Sequence, residues 1–178
     1  MKRVALSLVA LISIAGAGSL SAQSTRFGIG GGLLLPLSDY KTGDKAGFLV
    51  GADGAYWFNR NQVAIRLDLS YSQTSEASGV PAHKTKMMGG MAELVYAFMT
   101  PADQVRPYIF GGAGLFNVKV SAGGADTSET KAGFGGGAGL AFKMGTGSTR
   151  IFVEGRYVTV KAFTVTLPSI GIKAGVRF

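Results

Sequence analysis

The stretch that decides the fold is the end of the chain, Ile170-Gly171-Ile172-Lys173-Ala174-Gly175-Val176-Arg177-Phe178. Apolar side chains occupy every second position and finish on an aromatic residue, whereas glycine, lysine or arginine stands between them. A period of two residues is typical of a β-strand whose two faces meet different surroundings. One face here suits lipid and the other suits a polar interior, as in a strand of a membrane barrel.

The other end of the chain has the pattern of an export signal. Lys2 and Arg3 precede an apolar stretch over residues 4–17, and small residues dominate 18–22. The apolar stretch is short for a membrane-spanning helix, and no stop-transfer pattern follows it. We therefore predict a cleavable signal peptide over residues 1–22, cleaved after Ala22, and one β-barrel domain over residues 23–178.

Composition excludes several classes of function. The chain has no cysteine, so disulfides, zinc–thiolate sites and thiol nucleophiles are absent. One histidine and scattered carboxylates lack the spacing of metal ligands, and we expect neither a metal nor another cofactor. The formal net charge is +8, but the cations are not clustered with interleaved aromatic residues. We therefore do not expect nucleic acid as a partner.

The two-residue period recurs along the rest of the chain, most clearly from Val63 to Tyr71. It predicts strands at about 26–37, 47–58, 63–73, 86–98, 106–120, 132–144, 150–161 and 169–178. An even number of strands is usual for membrane barrels of bacteria, and eight is the smallest. Open sheet edges cannot be hydrated in lipid, so the sheet must close. We predict an all-β fold, an eight-stranded antiparallel up-and-down transmembrane β-barrel.

The connections between these strands support the same topology. Residues 59–62, 99–105 and 145–149 predict short turns, whereas 38–46, 74–85, 121–131 and 162–168 predict mostly longer loops. Both termini then lie on the side of the short turns, which is periplasmic in such barrels. Aromatic residues are expected in two outward belts near the headgroups. The predicted belt residues are Tyr56, Phe58, Tyr96, Phe98, Tyr108, Phe110, Phe142 and Phe178 at one end, and Phe48, Tyr71, Phe116, Phe134 and Tyr157 at the other.

An outward apolar phase places charged side chains in a narrow lumen. The predicted inward set is Asp53, Arg66, Asp68, Glu93, Asn117, Lys119, Lys143, Glu154, Arg156, Lys173 and Arg177. Isolated buried charges are very unfavourable, so these groups should pair or retain water. We predict an ion-pair network centred on Arg66, Asp68, Glu93, Glu154 and Arg156 that largely plugs the barrel. Many other inward positions are glycine or alanine, which we interpret as easing strand curvature.

Four arginines fall at the predicted periplasmic ends of strands. They are Arg26, Arg60, Arg106 and Arg150. Anionic headgroups attract cations at this depth, so we expect a rim of arginines that helps to fix the depth of the barrel.

Four segments carry the most specific motifs of the chain: 106–116, 131–142, 152–157 and 171–178. They resemble the small outer-membrane β-barrel family that includes the OmpA-type transmembrane domain and the opacity-type porins. The resemblance implies an outer-membrane protein with Val176 and Phe178 in a C-terminal assembly signal. It implies outer-membrane lipids, lipopolysaccharide and the barrel assembly machinery as partners, and we expect a monomer. It favours a structural or surface-interaction role without catalysis, because family members share a fold rather than an activity.

Other interpretations remain open from the sequence. One is a narrow ion or small-solute pore lined by the lumen charges. Another is a lipid A-modifying enzyme that uses His83, which lies beside several hydroxyl side chains in sequence. A third is a soluble, lipocalin-like carrier with the apolar phase inside. The string Gly133-Phe134-Gly135-Gly136-Gly137-Ala138 matches a dinucleotide fingerprint, but no helix is predicted after it.

Overall fold

A computed structural model describes residues 25–58 and 61–178 of the chain. In these residues, eight antiparallel strands close into a barrel in sequence order, because the last strand also pairs with the first. The strands are β1 (Thr25–Pro36), β2 (Gly47–Phe58), β3 (Val63–Ser75), β4 (His83–Ala97), β5 (Val105–Ala122), β6 (Ala125–Lys143), β7 (Arg150–Ala162) and β8 (Val165–Arg177). The predicted eight-stranded up-and-down barrel is confirmed. The predicted signal peptide, residues 1–22, and Arg60 lie outside the described residues.

One short helix, α1 (Ser38–Gly43), lies between β1 and β2, within a segment that was expected to be a loop. No helix in the described parts of the chain has the length and apolar character needed to cross a membrane.

The outer wall of the barrel is apolar and its interior is charged. Leu67 and Leu69 are 57% and 54% exposed, whereas Arg66 and Glu154 are each 1% exposed. Outward leucines beside inward charges are what a lipid-facing barrel requires. The predicted orientation is confirmed, and the soluble-carrier interpretation, which places the apolar phase inside, is wrong.

Strand β5 faces the opposite way from the prediction. Tyr108, Phe110 and Phe116 are buried in the lumen, whereas Ile109 and Leu115 point outward. The rings fit inside because glycines face them: a Cβ added to Gly89 or Gly139 would collide with Phe116 or Tyr108. Some inward glycines therefore make room for rings, in addition to any effect on curvature. The same phase places Asn117 on the outer face and corrects its assignment to the lumen.

The remaining predicted belt residues follow the expected geometry. Tyr56, Tyr96, Phe98, Phe142 and Phe178 point outward near the end that carries the termini, and Phe48, Phe134 and Tyr157 point outward near the other end. Pairs of these rings also contact each other across or along strands, with centroids 5.2 Å apart for Tyr96 and Phe98 and 5.9 Å apart for Phe48 and Tyr71.

Two of the predicted long loops are tight hairpin turns. β5 and β6 pair up to Ala122 and Ala125, so only Gly123 and Gly124 form the turn, with φ of 57° and 83°. β7 and β8 likewise pair up to Ala162 and Val165. Positive φ at both turn residues is the conformation of a tight hairpin turn. Sequence periodicity missed the ends of β5 and β6 because both of their faces are at least partly exposed there and polar residues occupy both phases of β6.

The interior is layered along the barrel axis. Near the termini, Trp57, Phe110, Phe152 and small residues form an apolar layer. Near the opposite end, Met87, Phe116 and Val118 pack with residues of β7. Most of the charged side chains predicted to line the lumen lie between these two layers.

Candidate functional site: the lumen ion cluster

Eight charged side chains meet in the middle of the lumen, and we call them the ion cluster. They are Asp53 from β2, Arg66 and Asp68 from β3, Glu93 from β4, Glu154 and Arg156 from β7, and Lys173 and Arg177 from β8. All eight are buried. Alternate residues of a strand point to the same face, which is why pairs two residues apart share this site. Four cations and four anions give the cluster no net formal charge.

Glu154 is the centre of one half of the cluster. Its Oε2 accepts hydrogen bonds from Tyr108 Oη at 2.9 Å, Arg66 Nη1 at 3.0 Å and Arg177 Nη2 at 3.1 Å. Arg177 also donates to Asp53, with 2.6 Å between Nη2 and Oδ1. A buried carboxylate can remain charged when several donors surround it in this way.

Asp68 organises the other half. It accepts hydrogen bonds from Arg156 Nη1 at 2.6 Å and from Lys173 Nζ at 2.7 Å. Glu93 joins the two halves, because its Oε2 lies 2.6 Å from Arg66 Nε and its Oε1 lies 3.1 Å from Arg156 Nη2. The cluster is therefore one connected network rather than a set of separate pairs.

Aromatic rings stack against the cations of the cluster. The guanidinium carbon of Arg66 lies 4.3 Å from the centroid of Phe110, and that of Arg177 lies 4.1 Å from Phe152. Contacts of this geometry stabilise a desolvated cation. Sequence reasoning missed Phe110 and Tyr108 as lumen residues. The signal that could have shown this was Arg106, because a charged side chain points into the lumen and Arg106 is in the same phase of β5 as Tyr108 and Phe110.

Two cations of the predicted network do not join the cluster. Lys119 lies on the outer face of β5, where its Nζ is 2.7 Å from Asp126 Oδ2. It was misplaced because the predicted phase of β5 was wrong. Lys143 is the last residue of β6 and lies beside Arg150 of β7, near the termini and away from the middle of the lumen.

A small cavity lies beside the ion cluster in the lumen. Its volume is about 30 Å³, and it adjoins Asp68, Arg156 and Lys173 on the side of Met87 and Phe116. That volume holds about two water molecules. Among the described residues, no group of three or more His, Asp or Glu side chains is arranged to hold a metal ion.

The arginines near the termini turn inward instead of outward. Arg150 donates to the carbonyl oxygens of Pro101 at 2.6 Å, Asp103 at 3.0 Å and Ala141 at 3.3 Å. Arg106 donates to Met99 O at 3.0 Å and stacks on the ring of Trp57, while Arg26 donates to Ser148 O at 3.0 Å. Arg106 and Arg150 are therefore committed to turns and to the lumen mouth, which corrects the expected contact with lipid headgroups.

Replacing Arg150 with glutamine should lower the free energy of unfolding by about 1–3 kcal/mol, because one buried carbonyl oxygen of β6 and two part-buried carbonyl oxygens of the β4–β5 turn lose their donor. Arg26→Gln is the matched control, since Arg26 makes a single exposed hydrogen bond, and it should change the value by less than about 0.5 kcal/mol. Urea unfolding in phospholipid vesicles measures both. Equal effects of the two substitutions would contradict the assignment of Arg150 to the turns.

Helix α1 covers the mouth opposite the termini. Tyr40 is buried against Leu34 and Leu49, and burial raises the pKa of its hydroxyl to about 12. Thr74 Oγ1 donates to Asp44 Oδ1 at 2.5 Å and lies 3.0 Å from the Tyr40 hydroxyl, so Tyr40 donates to Thr74. The segment after α1 is also paired with β3 through a bridge between Asp44 and Glu76.

His83 belongs to this cover. Its Nε2 lies 3.2 Å from Asp44 Oδ2, and its Nδ1 lies 2.9 Å from the carbonyl oxygen of Pro81. The nearby hydroxyls of Thr74 and Thr85 bond to Asp44 and not to His83. A hydrolase requires a hydroxyl held by its histidine base, and this arrangement does not provide one.

The cover should loosen as the pH rises. The Pro81 carbonyl, and then Asp44 and Glu76, raise the pKa of His83 despite partial desolvation. A raised pKa means that the pair stabilises the cover below about pH 6.5 and that this contribution is lost as the pH rises through the folded value. Trypsin cleavage after Lys41 or Lys45, normalised to a peptide substrate at each pH, should accelerate up to about fivefold from pH 5.5 to 8. In His83→Gln the acceleration should vanish, and its persistence there would contradict the role of His83.

Comparison with known families decides the classification. The model of the outer membrane protein beta-barrel domain matches residues 7–178. The chain belongs to this family. Its barrel is therefore an outer-membrane barrel. As the sequence predicts for such barrels, we take the end with the termini as periplasmic and the end with α1 and the tight hairpins as extracellular. The sequence matches none of the curated proteins with which it was compared.

Solved outer-membrane barrels share the fold. Neisserial surface protein A aligns with a TM-score of 0.67 and 20% identity, covering 88% of this chain and 98% of that one. OprG from Pseudomonas aeruginosa aligns with a TM-score of 0.59 and 13% identity, covering 88% and 97%. Ail of Yersinia pestis, in complex with the heparin analogue sucrose octasulfate, aligns with a TM-score of 0.51 and 25% identity, covering 87% and 99%.

Proposed function

We propose that this outer-membrane barrel is a closed, non-catalytic protein with a structural or surface-interaction role. The observation that carries the proposal is the ion cluster, whose eight buried side chains reach across the lumen from five of the eight strands. A narrow pore would need a continuous aqueous path, and the interior of an eight-stranded membrane barrel is just wide enough for side chains to fill it.

The two apolar layers of the lumen, one on each side of the ion cluster, support the proposal that the lumen is closed to ions. An ion that passed the cluster would next meet Phe116 and Val118 on the extracellular side, or Phe110 and Phe152 on the periplasmic side. Tyr40 then covers the extracellular mouth. Removing an ion from water into such apolar layers is very unfavourable. Breaking one ion pair would therefore leave two further barriers.

The extracellular end supports a role in surface interaction. β3 to β6 continue as a paired sheet up to Ser75, His83, Ala122 and Ala125, and these ends carry mostly polar side chains. Ail, which has the same fold, was solved with a sulfated carbohydrate analogue. The ring nitrogens of His83 bond to Asp44 and to the Pro81 carbonyl rather than to a hydroxyl group, and this favours a role in surface contact over hydrolysis at this end.

The C-terminal strand presents its last apolar residues on the outer wall of the barrel. Phe178 is 56% exposed on the outer wall, and its backbone exchanges two hydrogen bonds with Phe27 at 2.9 and 3.0 Å. Val176 points outward two residues earlier. We propose that this outward pair is recognised by the barrel assembly machinery while β8 is still unpaired, and that the protein then functions as a monomer.

Planar-bilayer recording tests the closed lumen. The purified protein, shown to be folded by heat-modifiable gel mobility, should give no steady current. A steady, ion-selective current that Glu93→Ala abolishes would overturn the proposal, because Glu93 would then line a conducting path.

A further inference from the structure

The extracellular part of strand β6 has one unpaired side. β6 pairs with β5 up to Ala125, but it pairs with β7 only from Gly133 onward. Among the described residues, 125–132 therefore have no neighbouring strand on the β7 side, and all of them except Glu129 are exposed. At about 3.4 Å per residue, this segment is about 27 Å long. We call it the free edge of β6.

The opposite edge of the same sheet is covered. The segment after α1 lies along β3, where Lys45 N donates to Ser75 O at 2.9 Å. Beside β6, the turn between β7 and β8 instead packs inward, because Phe163 and Leu167 contact the apolar layer near that mouth. Phe163 N donates to Glu129 Oε2 at 2.6 Å. This contact uses a side chain of β6 and leaves its backbone unpaired.

The hydrogen bonds at the other end of β6 show which backbone groups face the free edge. Lys143 N donates to Gln104 O on the β5 side, and Met144 N donates to Thr149 O on the β7 side. Backbone groups of alternate residues point to opposite neighbours, and the register of β6 with both neighbours is continuous. Residues in phase with Met144 therefore present N–H and C=O groups along the free edge. They are Asp126, Ser128, Thr130 and Ala132.

The charges beside the free edge are paired within the protein. Asp126 Oδ2 lies 2.7 Å from Lys119 Nζ, and Glu129 Oε1 lies 2.9 Å from Lys131 Nζ. A strand that joins the edge therefore meets hydroxyl side chains and balanced charges rather than a charge of one sign. A row of unpaired backbone donors and acceptors is complementary to another extended backbone.

We infer that the free edge of β6 binds an extended segment of another protein, which adds as a further strand through backbone hydrogen bonds. Uncharged hydroxyl or β-branched side chains suit the positions opposite Ser128 and Thr130. A second copy in the same membrane is a poorer occupant, because its β6 runs in the same direction and could pair only in parallel, which is slightly less stable. Such binding rests on the proposed role in surface interaction and gives that role its class of partner.

Hydrogen exchange of the folded protein in detergent micelles tests whether the edge is free. The amides of Ser128 and Thr130 should exchange at least about tenfold faster than those of Glu129 and Lys131, which face β5. Equally slow exchange would overturn the inference, because the edge would already be paired. If that protection increased with protein concentration, the occupant would be a second copy.

A capped peptide of alternating threonine and valine is the probe for binding. It should slow the exchange of Ser128 and Thr130 in the unchanged protein. The variant Ser128→Pro should bind it at least about fivefold more weakly, because proline removes a backbone donor of the edge. Ser128→Ala is the matched control, since it keeps that donor, and it should bind as the unchanged protein does. The same peptide with N-methyl groups at alternate residues should not bind.

Equal binding by Ser128→Pro and Ser128→Ala would overturn the inference, as would binding of the N-methylated peptide, because backbone pairing would then not be its basis. Heat-modifiable mobility checks that both variants are folded. Conductance recording tests the closed lumen separately. A steady current would count against the proposed function whatever the peptide does, whereas a closed barrel that binds no peptide would count against the free edge alone.

Discussion

Replacing Glu154 with glutamine should lower the free energy of unfolding by about 3–5 kcal/mol, the usual loss when one partner is removed from a buried ion pair. Glu154 lies within 3.4 Å of charged atoms of Arg66, Arg156, Lys173 and Arg177. Glutamine keeps the shape of the side chain but not its charge. Four cations would then share three carboxylates in a site shielded from water.

Urea unfolding in phospholipid vesicles measures this loss, with Glu76→Gln as the control. Glu76 lies in the connection after β3, outside the lumen, and its substitution should change the unfolding free energy by less than about 0.5 kcal/mol. If Glu154→Gln were as mild as the control, the carboxylate would be either protonated or hydrated, and the cluster would not be a closed network.

The neighbouring substitutions Phe110→Ala and Ile109→Ala should have very different effects. Phe110 is 6% exposed and contacts both Arg66 and Arg156, at 4.3 and 5.2 Å from the ring centroid. Its truncation should cost about 3–5 kcal/mol of stability through the cavity it leaves, together with the lost cation–π contacts. Ile109 is 47% exposed to the lipid side, so acyl chains replace its lost contacts and the cost should be smaller.

The same unfolding assay compares the two variants. The larger effect must belong to Phe110 if β5 has the phase seen in the structure. A larger effect of Ile109→Ala would contradict the structure and would support the phase expected from the sequence, in which the rings of β5 face lipid.

The sequence predicts the barrel because alternation is strong where one face meets lipid. On β3, Ile65, Leu67 and Leu69 alternate with Arg66 and Asp68, so the strand, its phase and its charged residues follow together. The same holds for β4, β7 and β8, which supply Glu93, Glu154, Arg156, Lys173 and Arg177. That these side chains form one cluster is a matter of register, which no single strand encodes.

Alternation fails where both faces of a strand are apolar or both are polar. On β5, Ile109 and Leu115 alternate with Tyr108, Phe110 and Phe116, and hydrophobicity does not separate the phases. Ring size decides instead, because inward glycines on β4 and β6 leave space for aromatic side chains. A glycine matters here through its partner on the next strand, which requires knowledge of the register.

The ends of the barrel were predicted least well for a different reason. Rim arginines and loop segments meet both water and protein, so residue type alone does not fix their contacts. Arg150 donates to carbonyl oxygens of the β4–β5 turn and of β6, and Tyr40 folds back onto the mouth of the barrel. Both depend on where chain reversals bring backbone oxygens or apolar side chains together.

Quenching of tryptophan fluorescence by brominated acyl chains tests the central claim. The claim is that the apolar phase of each strand faces lipid and that the other phase faces a lumen that acyl chains do not reach. The chain contains one tryptophan, and Trp57 is 7% exposed within the barrel. The unchanged protein should therefore be quenched weakly, whereas the variant Trp57→Phe, Leu67→Trp, with its indole on the outer wall, should be quenched strongly. Strong quenching of Trp57 and weak quenching at position 67 would contradict the account.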